Sequence, residues 1–150
     1  MGHRVEVDQS IKIEQPGPTV LAFSNGISSA IRIPSDVKTA IRAELKSRGK
    51  SKQTAHLQLF AACLFILLRG HLDNLRQIVI DVEYDGNEAT IKAFLLRYIW
   101  RQTPEFDQDT IVFRHIGKKS PAHKKANNVR EGRDKDCRTV RREELLEILR

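Results

Sequence analysis

Three alternating segments in succession, followed by single strands that alternate with helices, leave few folds open to this chain. In residues 4–15, RVEVDQSIKIEQ, the side chains of Val5, Val7, Ile11 and Ile13 point one way and those of Glu6, Asp8, Ser10 and Lys12 the other, which is the period of a strand. A PGP turn at 16–18 leads into TVLAFS, an Asn25-Gly26 hairpin signal and ISSAIRI, so three consecutive antiparallel strands are expected. Ser35, after Pro34, is placed to cap a helix over 36–48, where Val37, Ile41 and Leu45 recur every four residues. GKSKQ breaks it, and a second, more buried helix is expected over 54–68, ending near Gly70. QIVIDVEY is a fourth strand, and DGN turns into an amphipathic helix over 88–102 with Ile91, Leu95, Leu96 and Ile99 inside. TIVFRHI is a fifth strand. SPAH opens the next helix, with Ser120 as cap and Pro121 at the first helical position. REGRDKDCRT is expected to be a loose polar segment, and REELLEILR a last helix. The order is that of an α/β protein with a mixed five-stranded sheet covered by helices and joined by right-handed crossovers.

A chain of 150 residues, 40% apolar and 30% charged, suits one soluble domain. We place it at 1–133, with 134–150 as a polar basic segment and C-terminal helix. The apolar run 59–68 has about half the length of a membrane-spanning helix, and the N-terminal residues lack a signal-peptide apolar stretch. Cys63 lies in an apolar run and Cys137 in a polar one, so neither a disulfide framework nor a paired-cysteine zinc site is indicated. The expectation is a cytoplasmic protein with no membrane partner; its oligomeric state stays open.

Lys and Arg total 26 against 19 Asp and Glu, a net charge of +7, which favours a nucleic-acid partner over an anionic membrane. Residues 114–142 hold eleven Lys or Arg against three acids. Lys118 and Lys119 precede the helix start at Ser120, where free N–H groups and the helix dipole favour a phosphate. Lys124, Lys125, Arg130 and Arg133 follow and could carry a strand past it. Aromatic residues are sparse there, so backbone or duplex contacts suit the region better than base stacking. Whether the strand is RNA or DNA stays open. GKKS lacks the upstream glycine of a phosphate-binding loop, and neither a G-x-S-x-G nor a paired-histidine zinc motif is present.

Within this basic chain, carboxylates gather at the end of an apolar strand, in IVIDVEYDG at 78–86. VDQS, with Asp8, resembles the Asp-x-Ser opening of the ribonuclease H-like superfamily. DVEYDGNEATIKAFLLRYIW is similar to its acid-then-helix passage, and IVFRHIGKKSPAHKKANNV to its last strand and helix. The resemblance implies a ribonuclease H-like fold with metal-binding acids on the first strand, at the end of the fourth and on flanking helices. Here those would be Asp8, Asp81 and Glu83. Strands one and four would then be central neighbours, and Asp81 and Glu83, two apart, share a face. Close carboxylates repel unless a cation sits among them, and hard oxygen ligands select Mg²⁺ or Mn²⁺ over zinc. A metal-dependent nuclease is the function this implies, with a non-catalytic nucleic-acid-binding module on the same fold as the alternative. The last helix departs from the family in offering His123 and Asn127, four apart on one face, where an acid is usual; His123 could replace that acid or shuttle a proton. Asp8 also fits an exposed strand face, Asp85 a turn, and Glu44, on the first helix, either a solvated surface or a substitute acid. Trp100 is expected to pack.

Overall fold

The computed structural model of the protein describes residues 2–150. The hairpin signal acts as expected: β1 (His3–Ser10) pairs antiparallel with β2 (Thr19–Asn25), which turns at Gly26, φ +84°, directly into the antiparallel β3 (Ile27–Ile33). Only glycine adopts that φ without steric cost. Helices α1 (Ser35–Ser47) and α2 (Lys52–Leu68) follow. The α1 cap position is taken by Pro34, so Ser35 is already helical; the α2 cap is Ser51, whose hydroxyl accepts from the Thr54 N–H. Then come β4 (Leu75–Asp81), α3 (Glu88–Gln102), β5 (Ile111–Arg114), α4 (Pro121–Arg130), β6 (Arg138–Thr139) and α5 (Arg142–Ile148). The sheet order is β5-β4-β1-β2-β3-β6, with β4 parallel to both β1 and β5.

The sheet therefore has six strands rather than the expected five. The sixth comes from the segment read as loose: Arg138 and Thr139 pair in parallel with Ile31 and Arg32 of β3, and the Val140 N–H donates to the Arg32 carbonyl at 2.8 Å. Two exposed polar residues carry no alternation to betray a strand, and their ladder protects the β3 edge. Segment 134–150 also shares the main core, through Val140, Leu145, Ile148 and Leu149.

Both faces of the sheet are covered. Val5, Val7, Leu21, Phe23, Ile31 and Ile33 face a core built with α1, α2, α3 and α5. Every residue of α2 from Leu57 to Leu68 is buried in it, Cys63 included, which is why this helix shows no polar stripe. No helix among the described residues is long and apolar enough to cross a membrane. On the other face α4 lies alone, its Ala126 and Val129 against Val20, Ala22 and Ala30. Under it, Asp8 and Ser10 are buried rather than solvated. Trp100, expected to pack, is 39% exposed, its indole N–H donating to the Phe106 carbonyl.

β1 ends sooner than its alternation suggests. Ile11 has φ +65°, an outlier for a β-branched residue, and the chain leaves the sheet there. Its carbonyl accepts from the Thr19 hydroxyl at 2.8 Å. The loop beyond is held by Lys38 of α1, a fully buried lysine whose Nζ donates to the Gln15 carbonyl at 2.8 Å, Thr19 Oγ1 at 3.1 Å and the Lys12 carbonyl at 3.4 Å. Burial, and next the charge of Arg42, lower its pKa to about 8. Replacing Lys38 by Met leaves these acceptors without their donor, and a loss of about 1–3 kcal/mol in urea unfolding at neutral pH is expected. A variant as stable as the parent would show that the ammonium does not clamp the loop.

Candidate metal centre

Parallel pairing of β1 with β4 builds the site. Val7 lies opposite Ile80, so one residue further on Asp8 and Asp81 stand side by side at the C-terminal ends of two central parallel strands. Glu83 lies two residues beyond the end of β4 and not in the strand, yet its carboxyl turns back to the other two. One carboxyl oxygen from each of Asp8, Asp81 and Glu83 falls within 4.8 Å of the others. Asp8 is buried and the other two are half-buried.

Backbone donors fix the two aspartates. The Gln9 N–H donates to Asp8 Oδ1 at 2.8 Å, and the Ile116 N–H, past the end of β5, donates to Asp81 Oδ1 at 2.8 Å. The other oxygen of Asp8, Oδ2, meets His123 Nδ1 at 2.7 Å. Asn127, one helical turn on, places its amide nitrogen 3.0 Å from His123 Nε2. With that amide donating, Nε2 accepts and the ring proton sits on Nδ1, donating to Asp8. The four-residue spacing of His123 and Asn127 thus acts through Asp8.

Three carboxyl groups this close do not all ionise. Burial, followed by hydrogen bonding with Asp81 and Asp8 and by their charges, pushes Glu83 up to about 9. Asp8 is raised as well, chiefly by burial, but its hydrogen bonds to His123, Glu83 and Gln9 work against the rise. The excess proton therefore belongs on Glu83, where every influence points upward. Neutral Glu83 has a single proton to donate among the two aspartates; a bound cation would take over that role. The donor set, three carboxylates without a thiolate, fits a hard divalent ion.

The structure brings Asp8, Asp81, Glu83 and His123 together and leaves Asp85 exposed in its turn. Glu44 is elsewhere, paired with Arg48 at 3.2 Å on the outside of α1. The basic residues separate into two groups. Lys125, 11% exposed, is tied to Asp134 at 2.7 Å and Asp136 at 3.3 Å, while Arg130 and Arg133 both pair with Glu131. Lys118, Lys119 and Lys124 are exposed. The start of α4 has an anion of its own: the Ser120 hydroxyl donates to Glu6 Oε1 at 2.8 Å and accepts from the Ala122 N–H. Sequence reasoning misses Glu6 as a neighbour of this terminus; its alternation with Asp8 on one strand face is the available signal.

No protein-family model matches the chain, and comparison with curated proteins and with solved structures gives no match.

Proposed function

We propose that this chain is a ribonuclease H-like, divalent-ion-dependent nuclease acting on nucleic-acid phosphodiesters. The observation that carries the reading is the convergence of Asp8, Asp81 and Glu83 within 4.8 Å at the ends of adjacent parallel strands. The strand order β5-β4-β1-β2-β3 supports it, with three antiparallel strands followed by two that alternate with helices. In this reading the three carboxylates hold Mg²⁺ or Mn²⁺. Such an ion, when bound, lowers the pKa of water and neutralises charge on the leaving oxygen. The backbone N–H groups of Gln9 and Ile116 orient the two aspartates, and His123 holds Asp8 in place through Nδ1. Lys118, Lys119 and Lys124 add positive charge before and within α4, the helix that carries His123, where a phosphate chain is attracted.

One observation favours the alternative, a non-catalytic nucleic-acid-binding module. Both oxygens of Asp8 already accept hydrogen bonds, from Gln9 and His123, and that histidine stands where the superfamily usually has an acid.

Calorimetric titration of Mg²⁺ and Mn²⁺ into the protein and into Asp81→Asn separates the two readings. The substituted amide keeps an oxygen for the Ile116 N–H, so the fold is retained while a charged ligand is lost. Binding by the parent that is lost in the variant is the expected result; absence of binding in both leaves only the module.

A further inference from the structure

We infer that a second basic surface, on the opposite face of the sheet from α4, is the track along which the nucleic-acid backbone runs to the carboxylate site. Its residues are Arg42 and Lys46 of α1 and Lys52 and His56 of α2. This rests on the nucleic-acid reading proposed above and adds to it a path and a set of contacts.

Two adjoining hollows of about 370 and 380 Å³ share Glu14, Lys52 and His56 and so form one groove. Arg42 and Lys46, four apart, line one end, and Lys52 and His56, also four apart, line the middle. The hydrogen bond from Arg42 Nη1 goes to the Ile13 carbonyl and not to an acid. The ion pairs among the described residues lie elsewhere, so the charges of Arg42, Lys46 and Lys52 are not neutralised within the chain. Burial, with the charge of Arg42 next, lowers the pKa of His56, leaving it a neutral donor at neutral pH. Glu14 is the one acid in the groove, and it accepts from the Tyr84 hydroxyl at 3.2 Å.

Tyr84 connects the groove to the carboxylates. Glu83, the preceding residue, belongs to the acidic cluster, whereas the Tyr84 ring packs on Phe60 of α2 at 5.1 Å and lines the other end of the groove. The two sites therefore adjoin across the edge formed by the C-terminal ends of β1 and β4, where open α/β sheets bind ligands. Unpaired cations spread over two helices fit a chain of phosphates better than a single anion, and each phosphate contact releases counterions. In the basic tail Lys125, Arg130, Arg133, Arg138 and Arg141 each have a carboxylate partner, which leaves the exposed Lys118, Lys119 and Lys124 as contacts on the other side of the sheet.

The test is anisotropy of labelled DNA and RNA oligonucleotides in EDTA over a series of salt concentrations, for the parent and for Lys46→Gln/Lys52→Gln. Both lysines are exposed, and circular dichroism checks that the variant is folded. Affinity is expected to fall roughly tenfold, and the slope of log K against log salt by about 2 units, with Mg²⁺ calorimetry unchanged. Parent-like affinity and slope in the variant overturn the track, as does a parent that binds no oligonucleotide. Equal binding of a mononucleotide, or of polyglutamate at the same charge, also overturns it. Failure of the metal reading shows separately, as loss of binding in the variant of a protein that Mg²⁺ and Mn²⁺ do not bind.

Discussion

Replacing Glu83 with Gln stabilises the metal-free protein, and the gain grows as the pH is raised from about 5 to about 8. Folding takes Glu83 from an ordinary value of 4.5 to about 9, so across this interval the native state holds a proton that the unfolded chain has released. Stability is therefore greatest below the unfolded value and is lost as pH rises towards the folded one. The ceiling is about 1.4 kcal/mol per pH unit. Because the carboxyl is only half-buried, solvent screening reduces this, and a widening of about 1–2 kcal/mol between variant and parent is expected. The amide of the variant offers its N–H donors to the aspartates at every pH, whereas the acid has one proton to give and loses it as pH rises. Other groups bend both curves: Asp8 is raised and acts like Glu83, His56 is lowered and favours stability as pH rises, and Lys38, lowered to about 8, does the same only above this interval. The difference between variant and parent removes the contributions of His56 and Lys38, while that of Asp8, in contact with Glu83, is part of the effect measured. Urea unfolding with a chelator present, over a pH series, is the measurement. Parallel curves would mean that Glu83 is an ordinary exposed carboxylate. Saturating Mn²⁺ should restore the parent at pH 8 and do little for the variant.

Much of the site's placement is legible in the residue pattern, and the rest fails for identifiable reasons. Ser120 and Pro121 mark the start of α4, and the spacing of His123 and Asn127 puts them on one face; both follow from local chemistry. What that face meets does not. A strand whose Glu6, Asp8 and Ser10 point away from the main core can face water or a second layer. Only the small side chains of Ala126 and Val129 against Val20, Ala22 and Ala30 decide for the layer. Such a weak apolar stripe gives little sign of burial, and that is why Asp8 fits an exposed strand face as well as a ligand position. Ile11 and Ile13 continue the alternation past the true end of β1, because Ile13 is buried from a loop that Lys38 holds down. Charge misleads in a different way. Counted along the chain, the bases concentrate in residues 114–142, yet the chain folds Asp134, Asp136, Glu131 and Glu144 onto several of them. The smaller number on α1 and α2 is diluted by intervening residues and shows its density only when the two helices pack.

Asp8→Asn should reduce phosphodiester cleavage by on the order of 10³-fold or more while oligonucleotide binding in EDTA stays equal or becomes tighter. The substitution removes one negative charge from a site proposed to hold a cation, but also from a surface proposed to accept a polyanion, so the two readouts move apart. The hydrogen-bond network tolerates the change. The introduced amide keeps a carbonyl oxygen for the Gln9 N–H and turns its nitrogen to His123 Nδ1; the imidazole answers by carrying its proton on Nε2, and Asn127 accepts it after an amide flip. Stability should thus change by no more than about 1 kcal/mol, which unfolding in chelator checks. The same variant decides between enzyme and binding module. A parent that cleaves DNA, RNA or hybrid substrates with Mg²⁺ or Mn²⁺, and a variant that binds but does not cleave, is the enzyme's signature. Cleavage unaltered by the substitution would locate any chemistry away from these carboxylates. A parent that binds without cleaving, and binds more tightly once Asp8 is neutralised, would make the acids a brake on polyanion binding.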